Sequence, residues 1–232
     1  CDPKADSTTL LTHGVKMQTA LGLMRERNND FALSDMAKEG FGGVICVEAG
    51  GPTPGLGCAG RGIIAALEKL EEKGAYETFR PDVVFYDVLG DVVCGGFSMP
   101  LREAIADDVY LVTTSDFMAV YAANNICRGV KKYAESGGVR LSGVVYNGRS
   151  GRDDPSVALR FARLVGTELA GEIPMSPLIG RAELERRTVL EAYPDSPVSQ
   201  SFRALASHMY ARGARCIPTP LSDEEVESLC RG

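Results

Sequence analysis

Two cysteines stand where the backbone around them has been left open. Cys58 lies in Gly50–Gly62, a run of Gly-Gly-Pro-Thr-Pro-Gly-Leu-Gly-Cys-Ala-Gly-Arg-Gly with six glycines and two prolines. Cys94 is followed at once by Gly95 and Gly96. Such a loop either lets the backbone approach a ligand closely or simply turns tightly. A cubane iron–sulfur cluster needs four thiolates. One chain offers two in this setting, and a two-fold dimer would supply the rest, with the cluster on its axis. The pair is not a Cys-x-x-Cys array, and two buried cysteines near tight turns is the other reading of the same residues.

A second chemistry is written beside Cys94. In Val83-Val-Phe-Tyr-Asp87-Val-Leu-Gly90-Asp91 an apolar run delivers an Asp, and a Gly follows three residues later. In open α/β sheets ligands gather at the carboxyl ends of strands. An Asp there suits a magnesium ion held through water, and a Gly amide can bond a γ-phosphate and let it go after hydrolysis. A strand-end cap would look the same. Cys1-Asp2-Pro-Lys4-Ala-Asp6-Ser-Thr8 adds carboxylates for magnesium and a lysine for phosphate oxygens, or is an ordinary polar loop with a helix cap. The Gly-x-x-x-x-Gly-Lys-Ser/Thr phosphate loop that should accompany these elements does not occur in the chain. Since Cys1 is not a natural start, the expectation is that this loop and the first strand lie upstream of it.

Elements must hold these groups in place. Short β-branched runs alternate with stretches of helical period, the signature of an α/β fold with a mostly parallel sheet and helices on both faces. Strands are expected at Gly43–Val47, Val83–Asp87, Val109–Thr113, Leu141–Tyr146 and Leu169–Ile173. Helices are expected at Met17–Arg25, Gly62–Lys73, Phe117–Ala134, Ser156–Val165, Arg181–Glu191 and Val198–Arg212. Ser222-Asp-Glu-Glu225 reads as a capping box opening a last short helix. With no repeat, low-complexity tract or linker, the 232 residues read as one domain.

Composition excludes several classes. The 31 acidic and 25 basic side chains make the chain mildly acidic, with no basic cluster to meet nucleic acid. The longest apolar runs are strand length, too short for a membrane span, and no secretory leader opens the chain. An odd count of seven cysteines argues for a reducing compartment, and hence a cytoplasmic protein, rather than a disulfide framework. Cys46, Cys127, Cys216 and Cys230 read as small buried or peripheral residues.

Longer motifs go beyond spacing. Cys-Asp-Pro-Lys-Ala-Asp-Ser, Val-Glu-Ala-Gly-Gly-Pro, Gly-Cys-Ala-Gly-Arg-Gly, Tyr-Asp-Val-Leu-Gly-Asp-Val-Val-Cys-Gly-Gly-Phe and Tyr-Ala-Ala-Asn-Asn-Ile together resemble the nitrogenase iron protein family over nearly the whole chain. The resemblance implies a P-loop NTPase-like fold and a homodimer carrying one 4Fe-4S cluster and MgATP. A ferredoxin or flavodoxin would supply electrons, and a larger catalytic metalloprotein would receive them. By the same resemblance Cys58 and Cys94 are cluster ligands, Asp6 and Asp87 surround the magnesium ion, and Lys4 contacts phosphates across the dimer. Asp91 positions or activates the attacking water, and Asp2 shares the switch-like stretch. Asn147 lies near the base, and Arg61 matches a target of ADP-ribosylation. Tyr146-Asn-Gly-Arg149 and Ile173-Pro-Met-Ser-Pro177 look more like divergent relatives that serve tetrapyrrole or carbon–sulfur-bond reductases.

Overall fold

The computed structural model describes residues 4–28, 30–51, 60–90, 105–150 and 154–231. Asp2, Cys58, Asp91 and Cys94 lie outside them. The chain divides into two compact units, which are taken separately.

The first unit begins with turns over residues 4–14, followed by α1 (Ala20–Arg27), α2 (Leu33–Met36), β1 (Ala37–Glu39) and β2 (Ile45–Val47). It continues through α3 (Gly60–Glu72) and α4 (Ala75–Phe79). Thr19 starts α1 because its Oγ1 accepts the Gly22 amide at 3.0 Å, which satisfies one of the free donors of the first turn. β1 and β2 form an antiparallel hairpin with Lys38 opposite Cys46. Gly42 and Gly43, at φ 70° and 79°, make the turn that a side chain would strain. α3 turns Ile63, Ala66 and Leu70 inward, the i, i+3, i+7 spacing of an amphipathic helix. Ala66 joins Ala20, Leu23, Phe31 and Met36 in a core that Met24, Ala49 and Leu70 extend. Lys69 buries its stem on the same helix and ends on the Glu72 carboxylate.

Two expectations are corrected in this unit. The strand expected at Gly43–Val47 is only β2, and it pairs with β1 in a hairpin instead of joining a parallel sheet. The strand expected at Val83–Asp87 is not formed: among the described residues no strand pairs with it, and Val83, Val84 and Phe85 are exposed, Phe85 by 74%. Apolar patterning reports which side chains favour burial, whereas a strand exists only when a neighbour takes up its backbone bonds.

The second unit carries the parallel sheet, β3 (Asp108–Thr113), β4 (Arg140–Asn147) and β5 (Leu169–Ile173) side by side in that order. α5 (Phe117–Gly137) connects the first pair of strands and α6 (Pro155–Val165) the second. Val120, Cys127 and Val130 of α5, Leu141 and Val144 of β4, and Phe161 and Val165 of α6 are all buried. Asp154 opens α6 by accepting the Ser156 amide at 2.8 Å, with Pro155 in the first turn where its missing N–H is harmless. The β3–β4 register slips between Val109 and Tyr110, which places Tyr110 opposite Gly143.

In the first unit, to which residues 179–192 belong, α7 (Pro177–Leu184) and α8 (Val189–Ala192) replace the single helix expected at Arg181–Glu191. Arg186 turns left-handed at φ 56°, and the Thr188 hydroxyl accepts the Glu191 amide to begin α8. Glu185-Arg-Arg187 offers no apolar side chain to continue the buried stripe, so the helix gives way to a cap. α9 (Pro197–Ala211) lies on β5 with Leu205 against Gly171, and α10 (Asp223–Arg231) closes the chain. The expected capping box is present: the Ser222 amide donates to Glu225 Oε2 at 2.7 Å and the Glu225 amide to Ser222 Oγ at 3.2 Å. No helix among the described residues is long and apolar enough to cross a membrane.

Candidate functional site

In the first unit the polar stretch that begins the chain is shaped by its own backbone. Ala5 is buried in a left-handed conformation at φ 50°, which turns its neighbours Lys4 and Asp6 outward, where both are exposed. Asp6 O then accepts the Thr9 amide at 3.1 Å, and Thr8 O accepts the Thr12 amide at 3.0 Å, so the stretch coils into consecutive turns.

Two side-chain ties hold this coil. The Thr8 amide and hydroxyl both donate to Glu48 Oε1, at 2.9 and 2.6 Å. Farther on, His13 Nε2 stands 3.1 Å from Glu191 Oε2, and Arg187 Nε lies 3.1 Å from Glu191 Oε1. Neither Glu48 nor Glu191 was singled out as a site residue from the sequence. The one available signal was a carboxylate directly after the apolar run Gly-Val-Ile-Cys-Val, since a carboxylate entering a core requires donors.

Asp87 is exposed at the end of the extended segment 82–89. Tyr86 beside it is half-buried and hydrogen-bonded to Tyr76 of α4; burial first, and that bond second, push its phenol above the ordinary range. Tyr86 thus anchors the segment that presents Asp87. A Cβ at Gly90 would meet nothing within 4 Å among the described residues. Arg61 falls in the first turn of α3.

In the second unit Asn147 is the last residue of β4 and is exposed at the carboxyl end of the parallel sheet, beside the ends of β3 and β5. The Gly148 amide donates to Ile173 O at 2.8 Å, which fixes the chain where it leaves the sheet. A Cβ there would stand 3.0 Å from the Met175 amide nitrogen, so this turn is built around a glycine. This strand-end position is where ligands gather in open α/β sheets.

Cys46 and Cys127 are buried, and Cys216 and Cys230 are half-buried. Burial is the leading cause that raises all four thiols, Cys127 up to about 12. Among the described residues no His, Cys, Asp and Glu cluster could hold a metal ion. Cys1, Cys58 and Cys94 lie outside the described residues.

Comparisons with known proteins agree on the kind of molecule. A family model described as 4Fe-4S iron sulfur cluster binding proteins, NifH/frxC family, matches residues 1–232. The nitrogenase iron protein of Methanococcus voltae is 50% identical over 230 residues, which is 99% of this chain and 82% of that protein. Among solved structures, the septum site-determining protein MinD with Mg-ADP from Pyrococcus horikoshii is similar at a TM-score of 0.64 and 23% identity, covering 88% of this chain and 78% of that one. The cell division ATPase MinD of Pyrococcus furiosus is similar at 0.63 and 20% identity, covering 88% and 80%. These structural likenesses show the fold, an α/β fold of the P-loop NTPase kind. The family match over the whole chain and the 50% identity show more: the chain belongs to the NifH/frxC family of 4Fe-4S iron–sulfur cluster binding proteins.

Proposed function

We propose that this chain is the ATP-dependent reductase subunit of a nitrogenase-type system, a homodimer that passes single electrons to a larger catalytic metalloprotein. The observation that carries the reading is 50% identity to a nitrogenase iron protein along 99% of the chain. A bound 4Fe-4S cluster supplies one-electron chemistry, and Cys58 and Cys94 of each subunit are the residues that would hold it. The donor set fits in number, because two copies of this pair make the required four thiolates.

The chain's own residues do the rest. Asp6 and Asp87, both exposed carboxylates, orient the magnesium ion of MgATP. Lys4 places its ammonium on phosphate oxygens of the nucleotide across the dimer. Asp91 orients or activates the attacking water, with Asp2 in the same switch-like stretch, and the Gly90 amide bonds the γ-phosphate until hydrolysis releases it. Asn147, at the carboxyl end of β4, lies near the base. Arg61 stands at the start of α3, close in sequence to Cys58. It is a target for ADP-ribosylation, which would block docking by bulk and loss of charge. A ferredoxin or flavodoxin restores the electron, and the protein works in the cytoplasm.

A second reading keeps the chemistry and changes the recipient. Tyr146-Asn-Gly-Arg149 and Ile173-Pro-Met-Ser-Pro177 favour a nitrogenase-like reductase serving a tetrapyrrole or carbon–sulfur-bond reductase. The full-length protein purified without oxygen should be brown, with about four irons per dimer, and should hydrolyse ATP faster when its partner is added. Colourless protein with full ATPase activity would point instead to a non-redox ATPase of the partitioning type. Electron delivery measured with candidate partner proteins separates the two recipients.

A further inference from the structure

His13 adopts a backbone conformation that side chains rarely take. Its φ is 55° and that of Gly14 is 78°, two consecutive left-handed residues at the far end of the N-terminal coil. A non-glycine residue keeps such a conformation only where its surroundings hold it there. Here they do, since His13 Nε2 lies 3.2 and 3.1 Å from the two carboxylate oxygens of Glu191. An ionised carboxylate can only accept, so Nε2 carries a proton and donates it. Gly14 is covered by Arg186: a Cβ on it would fall 2.4 Å from Arg186 Cδ.

The surface that receives these residues is held by bonds of its own. Arg187 binds Glu191 twice, through Nε to Oε1 at 3.1 Å and through Nη2 to the carbonyl at 3.1 Å. The Arg187 amide donates to Ala182 O at 3.0 Å, and the Glu191 amide to Thr188 Oγ1 at 3.2 Å. Residues 185–191 thus form a corner between α7 and α8 that aims one half-buried carboxylate at His13. The coil, for its part, is a relay of turns. Asp6 O accepts the Thr9 amide at 3.1 Å, Thr9 O the Gly14 amide at 2.7 Å, and Thr12 O the Val15 amide at 3.1 Å. Lys4 and Asp6 stand exposed at its near end, and coil and corner both belong to the first unit. With the far end pinned, the near end has less freedom left to lose when a ligand binds.

We propose that the α7–α8 corner anchors the N-terminal coil, and that His13, through Glu191, is a positioning residue that holds Lys4 and Asp6 in place for MgATP. The proposal rests on the nucleotide reading above. His13 lies seven residues beyond Asp6 and acts through the coil. It sets the fraction of molecules in which the coil is correctly placed, and the apparent affinity for the nucleotide falls with that fraction.

The test uses the full-length dimer, loaded with its cluster under anaerobic conditions. Wild type, His13→Ala, His13→Gln and Glu191→Ala are compared by the Kd of a non-hydrolysable MgATP analogue, by KM and kcat for MgATP hydrolysis, and by amide hydrogen exchange over residues 6–15. In His13→Ala both Kd and KM should rise about tenfold while kcat stays within about twofold of wild type. Exchange of the Thr9, Thr12 and Gly14 amides should quicken in the same variant. His13→Gln, which keeps an N–H donor at the reach of Nε2, should recover most of the affinity, and Glu191→Ala should match His13→Ala. An unchanged Kd in His13→Ala, with or without faster exchange, overturns the proposal, and so does an equal loss in His13→Gln. A fall in kcat with Kd unaltered overturns it too, because a misplaced coil weakens binding. Should His13→Ala fail to fold, Glu191→Ala is read in the same way; if neither folds, the contact is a structural tie and the proposal is wrong. Wild-type protein that binds no MgATP analogue overturns the nucleotide reading itself, an outcome distinct from wild type and His13→Ala binding equally well.

Discussion

Asn124, midway along α5, is fully buried and binds the backbone of Leu221 with both ends of its amide. Its Nδ2 donates to Leu221 O at 2.9 Å, and its Oδ1 accepts the Leu221 amide at 2.8 Å. The side chain thus imitates a strand partner for a segment that joins no sheet. Arg128, one turn on, donates to the same carbonyl at 3.1 Å and to Asp223 at 2.8 Å. The C-terminal helix is delivered to the core, through Val226 and Leu229, by this tie.

Replacing Asn124 by Ala leaves the buried amide of Leu221 without a partner and its carbonyl with Arg128 alone. The cost should be about 2–4 kcal/mol of stability. Urea unfolding monitored by circular dichroism measures it, and exchange of the 223–231 amides should rise in parallel. A loss below half a kcal/mol would show that water replaces the amide at no cost.

The Cys127 thiol gives a pH dependence of definite sign. Burial first, and the neighbouring Cys216 second, lift it from an ordinary 9.0 to about 12. Between those values the unfolded chain has released the proton and the folded chain still holds it. Stability is therefore fully present below pH 9 and falls as pH rises towards 12, by on the order of 4 kcal/mol for this group alone. Cys127→Ala should flatten that part of the profile relative to wild type, measured as urea midpoints at pH 8 and pH 11 in reducing buffer. Identical slopes in the two proteins would refute the assignment.

Gly143 sits at the register slip of the parallel sheet, where a Cβ would lie 2.7 Å from the Ala170 Cβ. Gly143→Ala should overpack the β4–β5 contact and cost about 2–3 kcal/mol. Ala170→Gly in the same chain should return part of that loss, because it removes the atom that is struck. Thermal unfolding of the two single variants and the double variant completes the cycle, and additive losses would exclude the contact as the cause.

Cys58→Ser and Cys94→Ser should each abolish the brown colour and bring iron from about four per dimer to near zero. Cys46→Ala and Cys216→Ala, by contrast, should keep full iron, since among the described residues neither stands in a cluster of groups that could hold a metal ion. Iron analysis of anaerobically purified full-length protein distinguishes the two sets. Retention of iron in either serine variant would move the ligand set elsewhere.

The features legible in the sequence were those carried by short stretches of chain. The strands expected at Val109–Thr113, Leu141–Tyr146 and Leu169–Ile173 fall within a residue or two of β3, β4 and β5, because each is a short run whose buried apolar residues, Leu111 in β3, Val144 and Val145 in β4 and Ala170 and Ile173 in β5, are visible in the sequence itself. The capping box at Ser222 and Glu225 was legible for a similar reason, since both partners of each bond lie within four residues. Four cysteines were rightly set aside as buried or peripheral. The family, too, was readable from its long motifs.

Tertiary structure decided whatever depends on a partner distant in the chain. Val83–Asp87 has the pattern of a strand and is not one, since pairing belongs to a neighbour and not to the run itself. Ile45–Val47 turns back on Ala37–Glu39 because Gly42 and Gly43 allow the reversal. Glu48 was one letter inside a motif until the fold set it against Thr8, forty residues away. Asn124 was likewise one of a pair of asparagines until Leu221 was placed against it, ninety-seven residues on. Local propensity and patterning act over a few residues, whereas a buried polar group finds its donors only when the chain closes around it.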